Sequence, residues 1–152
     1  WSAKYQIDIT GGKNSRMDEI QAAVLSALLP HVDHWNQRRR EIYAAYAAAC
    51  SSSIKAQNYQ GRDFVGHLAV FQTDSRQAFM AYLQEQGVSA DIHYPLLDTQ
   101  QKAWKAQAHR VALTGLVESE QLVNRIVSLP CFPTMTDQEV DKVCHCLSSW
   151  AG

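Results

Sequence analysis

Residues 128–150 read SLPCFPTMTDQEVDKVCHCLSSW, and both kinds of structure in the chain meet in this stretch. Its first six residues, Ser128-Leu129-Pro130-Cys131-Phe132-Pro133, are bracketed by prolines. Prolines lack a backbone donor, so the segment suits an extended edge strand. From Thr136 the pattern changes. Thr136 and Glu139 have the spacing of a capping box, and Val140, Val143, Cys144, Leu147 and Trp150 recur as one apolar helical stripe.

Working back from there, Glu118 to Val127 reads as a helix with Leu122, Val123 and Ile126 inward, and Leu96 to Thr114 as a loop with one helical turn. Val88 to His93 reads as a short strand closed by Pro95. Before it, Asp74 or Ser75 caps a helix carrying Phe79, Met80 and Leu83, which Gly87 stops. Asp63 to Thr73 predicts a strand. Further upstream, Ser15-Arg16-Met17-Asp18 has the form of a helix-start signal, followed by Ile20, Ala23, Val24, Ala27 and Leu28 at helical spacing. Pro30 predicts a break, after which Trp35, Ile42, Tyr46 and Ala49 mark a second long helix. Long helices followed by alternating short strands and helices make an α+β domain.

The first ten residues alternate, with Tyr5, Ile7 and Ile9 on one side and Lys4, Gln6 and Asp8 on the other. A strand with no partner nearby in sequence is expected to pair with a segment upstream. The chain is therefore expected to be a piece of a longer protein, with an exposed apolar face near Tyr5, Ile7, Ile9 and the first helix.

Composition excludes several function classes. The chain has 152 residues, 46% hydrophobic and 19% charged, which suits one domain with an ordinary core. Its 14 basic and 15 acidic residues give a formal charge of −1, so there is no case for a dedicated nucleic-acid binder. The Arg38-Arg39-Arg40 cluster points in three directions on a helix and reads as a solvated face. No apolar run approaches the ~20 residues of a membrane helix. Cys50, Cys131, Cys144 and Cys146 are too sparse for a disulfide-stapled domain, which predicts a soluble protein of a reducing compartment.

Cys144-His145-Cys146 sits mid-helix without a second ligand pair, so it reads as core rather than metal site. His31 and His34 share one helical face beside Pro30 and read as surface. No nucleophile elbow, zinc-protease or P-loop signature is present, although a Cys–His pair meeting in space stays open. Two places invite chemistry. Gly12-Lys13-Asn14-Ser15-Arg16 precedes a helix start, where free amides favour an anion and Arg16 offers a fork suited to phosphate. His93-Tyr94-Pro95 ends a strand, a common position for functional side chains.

The run Gly12-Lys13-Asn14-Ser15-Arg16-Met17-Asp18-Glu19-Ile20-Gln21-Ala22-Ala23 resembles a signature of the DegT/DnrJ/EryC1/StrS sugar aminotransferases. Leu29 to Asn36, Arg38-Arg39 through Tyr46, His67, Gly87-Val88, Ile92-His93-Tyr94-Pro95, Glu120 leading to Ser128-Leu129-Pro130, and Thr136 to Val140 continue it in order.

The resemblance implies that residues 1–152 form the C-terminal small domain of a fold-type I enzyme using pyridoxal 5'-phosphate (PLP), with long helices on a small sheet. Residues 1–14 would be the strand and loop of the large N-terminal domain or its junction. It also implies a cytoplasmic homodimer with shared active sites, moving an amino group from glutamate to a nucleotide-linked keto sugar, in polysaccharide biosynthesis. Asn14 matches the cofactor-binding asparagine that reaches the neighbouring subunit's PLP phosphate. Arg16, His93 and Tyr94 match substrate-binding positions.

No position corresponds to the family's PLP lysine, so the chain alone is expected to be inactive and to contribute no catalytic residue of its own. Leu97-Asp98-Thr99-Gln100-Gln101 lacks the histidine that often follows the H-Y-P segment, which leaves that loop's sugar contacts open. The Asn-Ser-Arg-Met form resembles members that aminate the 3-position. Two alternatives remain: a dehydratase on the same scaffold and a non-catalytic binding or regulatory domain.

Overall fold

The computed structural model describes residues 16–59, 61–104 and 115–152, so the predicted first strand and Asn14 lie outside the described residues. Helix α1 (Glu19–Leu28) starts at Asp18, whose backbone N–H donates to Gln21 Oε1 at 3.1 Å. The start signal predicted at Ser15 thus operates three residues later. Pro30 sits in a single 3-10 turn, Leu29–His31, and the chain continues as α2 (Val32–Ala49), so the predicted break is present. No residue of α1 is buried, and Ile20 and Leu29 are 80% and 70% exposed. The expected uncovered apolar face is there on the helix; Tyr5, Ile7 and Ile9 lie outside the described residues.

Helix α2 buries Ile42, Tyr43 and Tyr46. The arginine cluster on it is not the solvated face its charge predicts: all three arginines are half-buried. Arg38 Nη2 donates to Met135 O at 3.0 Å and Asp137 Oδ1 at 2.6 Å, and Arg40 Nη1 donates to Phe64 O at 3.3 Å. Long apolar stems lie on the protein while their forks reach distant backbone, a use of arginine that periodicity does not reveal.

A three-stranded antiparallel sheet follows, in the order β1-β2-β3: β1 (Lys55–Ala56), β2 (Ala69–Gln72) and β3 (Ile126–Leu129). Strand β1 carries no sequence signal. The strand predicted from Asp63 begins only at Ala69. Gly66, at φ +61°, lies so close to α2 that a Cβ there would stand 3.2 Å from Arg39 O, and the chain turns before it extends. Helix α3 (Arg76–Glu85) buries Phe79 and Leu83 as expected. The strand predicted at Val88–His93 reduces to one bridge between Asp91 and Ser128. Asp91 Oδ1 accepts the N–H of Ile92 at 2.7 Å, diverting a donor that a longer ladder would use.

Residues 96–104 hold two 3-10 turns, Asp98–Gln100 and Lys102–Trp104, rather than one. Helix α4 (Val117–Leu122) is shorter than predicted, because Ile126 and Val127 pair with β2 instead. Both are β-branched, and sheet pairing outweighs their helical spacing. The proline-bracketed segment is an edge as predicted, but β3 ends at Leu129.

Helix α5 (Asp137–Ser149) packs against α2 and buries Val140, Val143, Cys146 and Leu147. Cys146, at 1% exposed, takes the place in the core predicted for Cys144, which is only half-buried. Trp150 packs between Phe79 and Tyr82, with ring centroids 5.3 and 5.2 Å away.

The capping box of α5 is formed. Glu139 N–H donates to Thr136 Oγ1, and Glu139 Oε2 accepts from Thr136 N–H at 2.8 Å and Thr136 Oγ1 at 2.9 Å. Those two donors hold the Glu139 carboxyl below its ordinary value. Thr136→Ala should destabilise the fold by about 1 kcal/mol in chemical unfolding at neutral pH. A folded-state carboxyl with a lowered pKa contributes stability above the unfolded value and loses it as pH falls through the folded one. The gap between wild type and Thr136→Ala should therefore narrow in acid; a gap independent of pH would refute the link.

Candidate functional site

The bridge at Asp91 sets the local frame. Asp91 N–H donates to Ser128 O at 3.1 Å and Ser128 N–H donates to Asp91 O at 2.7 Å, so the H-Y-P segment leaves directly from the edge of β3. Asp91 Oδ2 lies 4.0 Å from His93 Nε2, at the outer limit of an ion pair. The rings of His93 and Tyr94 meet edge to face with centroids 5.4 Å apart. His93 is half-buried and Tyr94 is 55% exposed.

His93 lines a cleft of about 550 Å³ between residues 87–91, the end of β3 and α5, a volume in the range of small-molecule sites. Its walls include Val88, Leu129, Phe132 and Val143, and its polar groups include Asp91, Ser128, Glu139 and Lys142. Sequence reading had no access to these partners, because three separate elements bring them together. The Ser128 hydroxyl is fully buried with no hydrogen-bond partner among the described residues.

Arg16 does not line this cleft. It is 85% exposed at the start of α1, where its Nη2 pairs with Asp18 Oδ1 at 2.8 Å. Asn14 and the glycine loop lie outside the described residues. The structure thus brings His93 into a cleft with Tyr94 beside it, and leaves Arg16 as a separate exposed fork. His31 and His34 are on the surface as expected, with His31 stacked on Trp35 at 5.7 Å. Among the described residues no group of three or more metal-ligating side chains occurs.

The cysteines are poor nucleophiles. Burial pushes the Cys50 and Cys131 thiols up to about 11, and their Sγ atoms face Tyr46 O and Arg39 O. Burial also raises Cys144 and Cys146. Thiolate is the reactive form. Iodoacetamide at pH 8 should modify Cys50 and Cys131 far more slowly in the folded chain than in urea. Equal rates by mass spectrometry would refute this.

Among the described residues no helix is long and apolar enough to cross a membrane. A family model described as the DegT/DnrJ/EryC1/StrS aminotransferase family matches residues 2–148. The chain is 36% identical over 152 residues to a dTDP-3-amino-3,6-dideoxy-alpha-D-galactopyranose transaminase of Aneurinibacillus thermoaerophilus, covering 97% of this chain and 40% of that protein. It is 31% identical over 133 residues to a pleiotropic regulatory protein of Geobacillus stearothermophilus, covering 84% of this chain and 35% of the relative. A DegT DnrJ EryC1 StrS aminotransferase structure from Brucella abortus superimposes with a TM-score of 0.79 at 30% identity, covering 97% of this chain and 39% of the other. The chain spans about two fifths of the length of the relatives it matches.

Proposed function

Since the chain belongs to the DegT/DnrJ/EryC1/StrS aminotransferase family, we propose that it is the C-terminal domain of a PLP-dependent aminotransferase. The substrate is a nucleotide-linked keto sugar and the amino donor is glutamate. The product class is an amino sugar for cell-surface polysaccharide, the enzyme is a cytoplasmic homodimer, and this chain alone is inactive. The observation that carries the reading is the 36% identity to a nucleotide-sugar transaminase along nearly the whole chain. The uncovered apolar face of α1 supports it, since a further domain or subunit would cover such a face.

The residues present fit the phosphate end of PLP. Arg16 is an exposed planar fork at a helix N-terminus, held by one carboxylate, and this geometry suits an anionic oxygen set. Asn14, two residues earlier, adds a neutral amide donor. When bound, PLP supplies the electron sink that lets an amino group change partners. This chain's part is binding and orientation: Asn14 holds the cofactor phosphate across the subunit boundary, Arg16 meets cofactor or substrate phosphate at the same loop, and His93 with Tyr94 orients the nucleotide sugar.

A second reading, a non-catalytic regulatory domain, is favoured by the similarity to the pleiotropic regulatory protein. The two separate on one measurement. The polypeptide isolated from its natural source is mixed with PLP, and its absorbance is recorded before and after borohydride. An absorbance band that reduction fixes covalently to the polypeptide is the expected result. Its absence would sink the catalytic reading and leave the regulatory one.

A further inference from the structure

We infer that Asp91 is a positioning residue of the proposed substrate site, its carboxylate holding the His93 ring at the angle at which it faces the cleft. The inference rests on the reading of His93 as a substrate-orienting residue and adds the group that orients His93 itself.

A histidine ring needs such a group. Rotation about the bond from Cβ to the ring is broad and roughly two-fold, so the side-chain torsion by itself does not choose between the two edges. Which way the Nε2 edge points is set by the charge or hydrogen-bonding group opposite it. Here a carboxylate stands there, with Asp91 Oδ2 4.0 Å from His93 Nε2. That is too long for a direct hydrogen bond, so the hold is electrostatic. Tyr94 closes a second side, its ring at 87° to that of His93.

Asp91 is itself fixed before its charge acts. Its backbone N–H and C=O are both bonded to Ser128, a buried residue of β3, so its Cα is tied to the sheet. Oδ1 accepts the Ile92 N–H at 2.7 Å, which sets the plane of the carboxylate. The direction of Oδ2 follows from that plane, and His93, two residues on, comes back to meet it. Both side chains line the cleft, where Glu139, the other carboxylate of the wall, is taken up by Thr136. One carboxylate thus does two separable things: Oδ1 shapes the backbone and Oδ2 faces the ring. The Asp91 and His93 side chains are 43% and 22% exposed, so water weakens their attraction and the expected effect is modest.

Asp91→Asn separates the two roles, because an amide oxygen still accepts from the Ile92 N–H while the charge is gone. In NMR spectra of this 152-residue chain, the wild type should show cross-relaxation between the His93 and Tyr94 rings. Asp91→Asn should weaken it and shift the His93 ring signals, with the Ser128 amide signal and the urea midpoint unchanged. In the complete holoenzyme, dTDP-glucose and UDP-glucose serve as probes in calorimetry. Asp91→Asn should weaken the tighter of the two about two- to fivefold, the scale of a partly exposed ion pair. In a His93→Gln background the same substitution should add nothing, since its effect passes through the ring. Ring signals that do not move, a change that spreads to the Ser128 amide, or a full Asp91→Asn effect in the His93→Gln background would each overturn the inference. Ring signals that move while neither sugar nucleotide binds the holoenzyme would overturn the substrate reading alone and leave Asp91 as the group that positions His93.

Discussion

Phe71→Ala is expected to lose about 3–5 kcal/mol of folding stability, the usual range for deleting a buried aromatic ring. Phe71 is fully buried at the centre of β2, the middle strand, opposite Ala56 on one side and Val127 on the other. Its ring lies 5.1 Å from that of Tyr43 and 6.3 Å from that of Tyr46, so it joins the sheet to α2. The surroundings cannot collapse into the gap. Tyr46 is held by its hydroxyl, which donates to Pro130 O at 3.0 Å, and Tyr43 by bonds to both the N–H and C=O of Gln57. Against a total stability of about 5–15 kcal/mol for a domain, such a loss removes a large part of the margin. Urea unfolding followed by circular dichroism reads it directly, and a loss below about 1 kcal/mol would show that the centre of the core lies elsewhere.

The second large effect concerns function. In the complete enzyme, Asn14→Ala is expected to weaken PLP retention by about tenfold or more, the scale of a hydrogen bond to a charged phosphate. The side chain would act across the subunit boundary, so the loss should appear in equilibrium dialysis of the holoenzyme while the unfolding midpoint of this chain stays unchanged. Arg16→Gln should raise KM for the sugar nucleotide more than it lowers kcat, since a binding fork acts before chemistry. Unchanged cofactor affinity in Asn14→Ala would remove that residue from the site.

How legible the molecule was depended on whether a signal was local. The helix beginning at Asp137 could be read residue by residue, because its cap and stripe lie within one short segment. The break at Pro30 and the stop at Gly87 were equally plain, since each is a backbone property of one residue. Errors arose where a distant partner competed. Ile126 and Val127 fit a helix by spacing, and only the presence of β2 alongside makes them strand. Asp91 to His93 alternates like a strand, but the Asp91 carboxylate takes the N–H of Ile92. Cys146 is fully buried while Cys144 packs against the core only partly, a difference that what lies opposite α5 decides and spacing along the helix does not.

The candidate site divides in the same way. The α+β class and the family could be reached from the order of amino acids, and Asn14, Arg16, His93 and Tyr94 are candidates on the same ground, because each lies in a contiguous motif. The cleft could not. Its walls come from residues 87–91, from the end of β3 with the segment after it, and from α5, and the Asp91–Ser128 bridge brings the first of these against the other two. Local chemistry is written along the chain, whereas which charges stay unpaired and which hydroxyl is buried follow from what the folded backbone places opposite them.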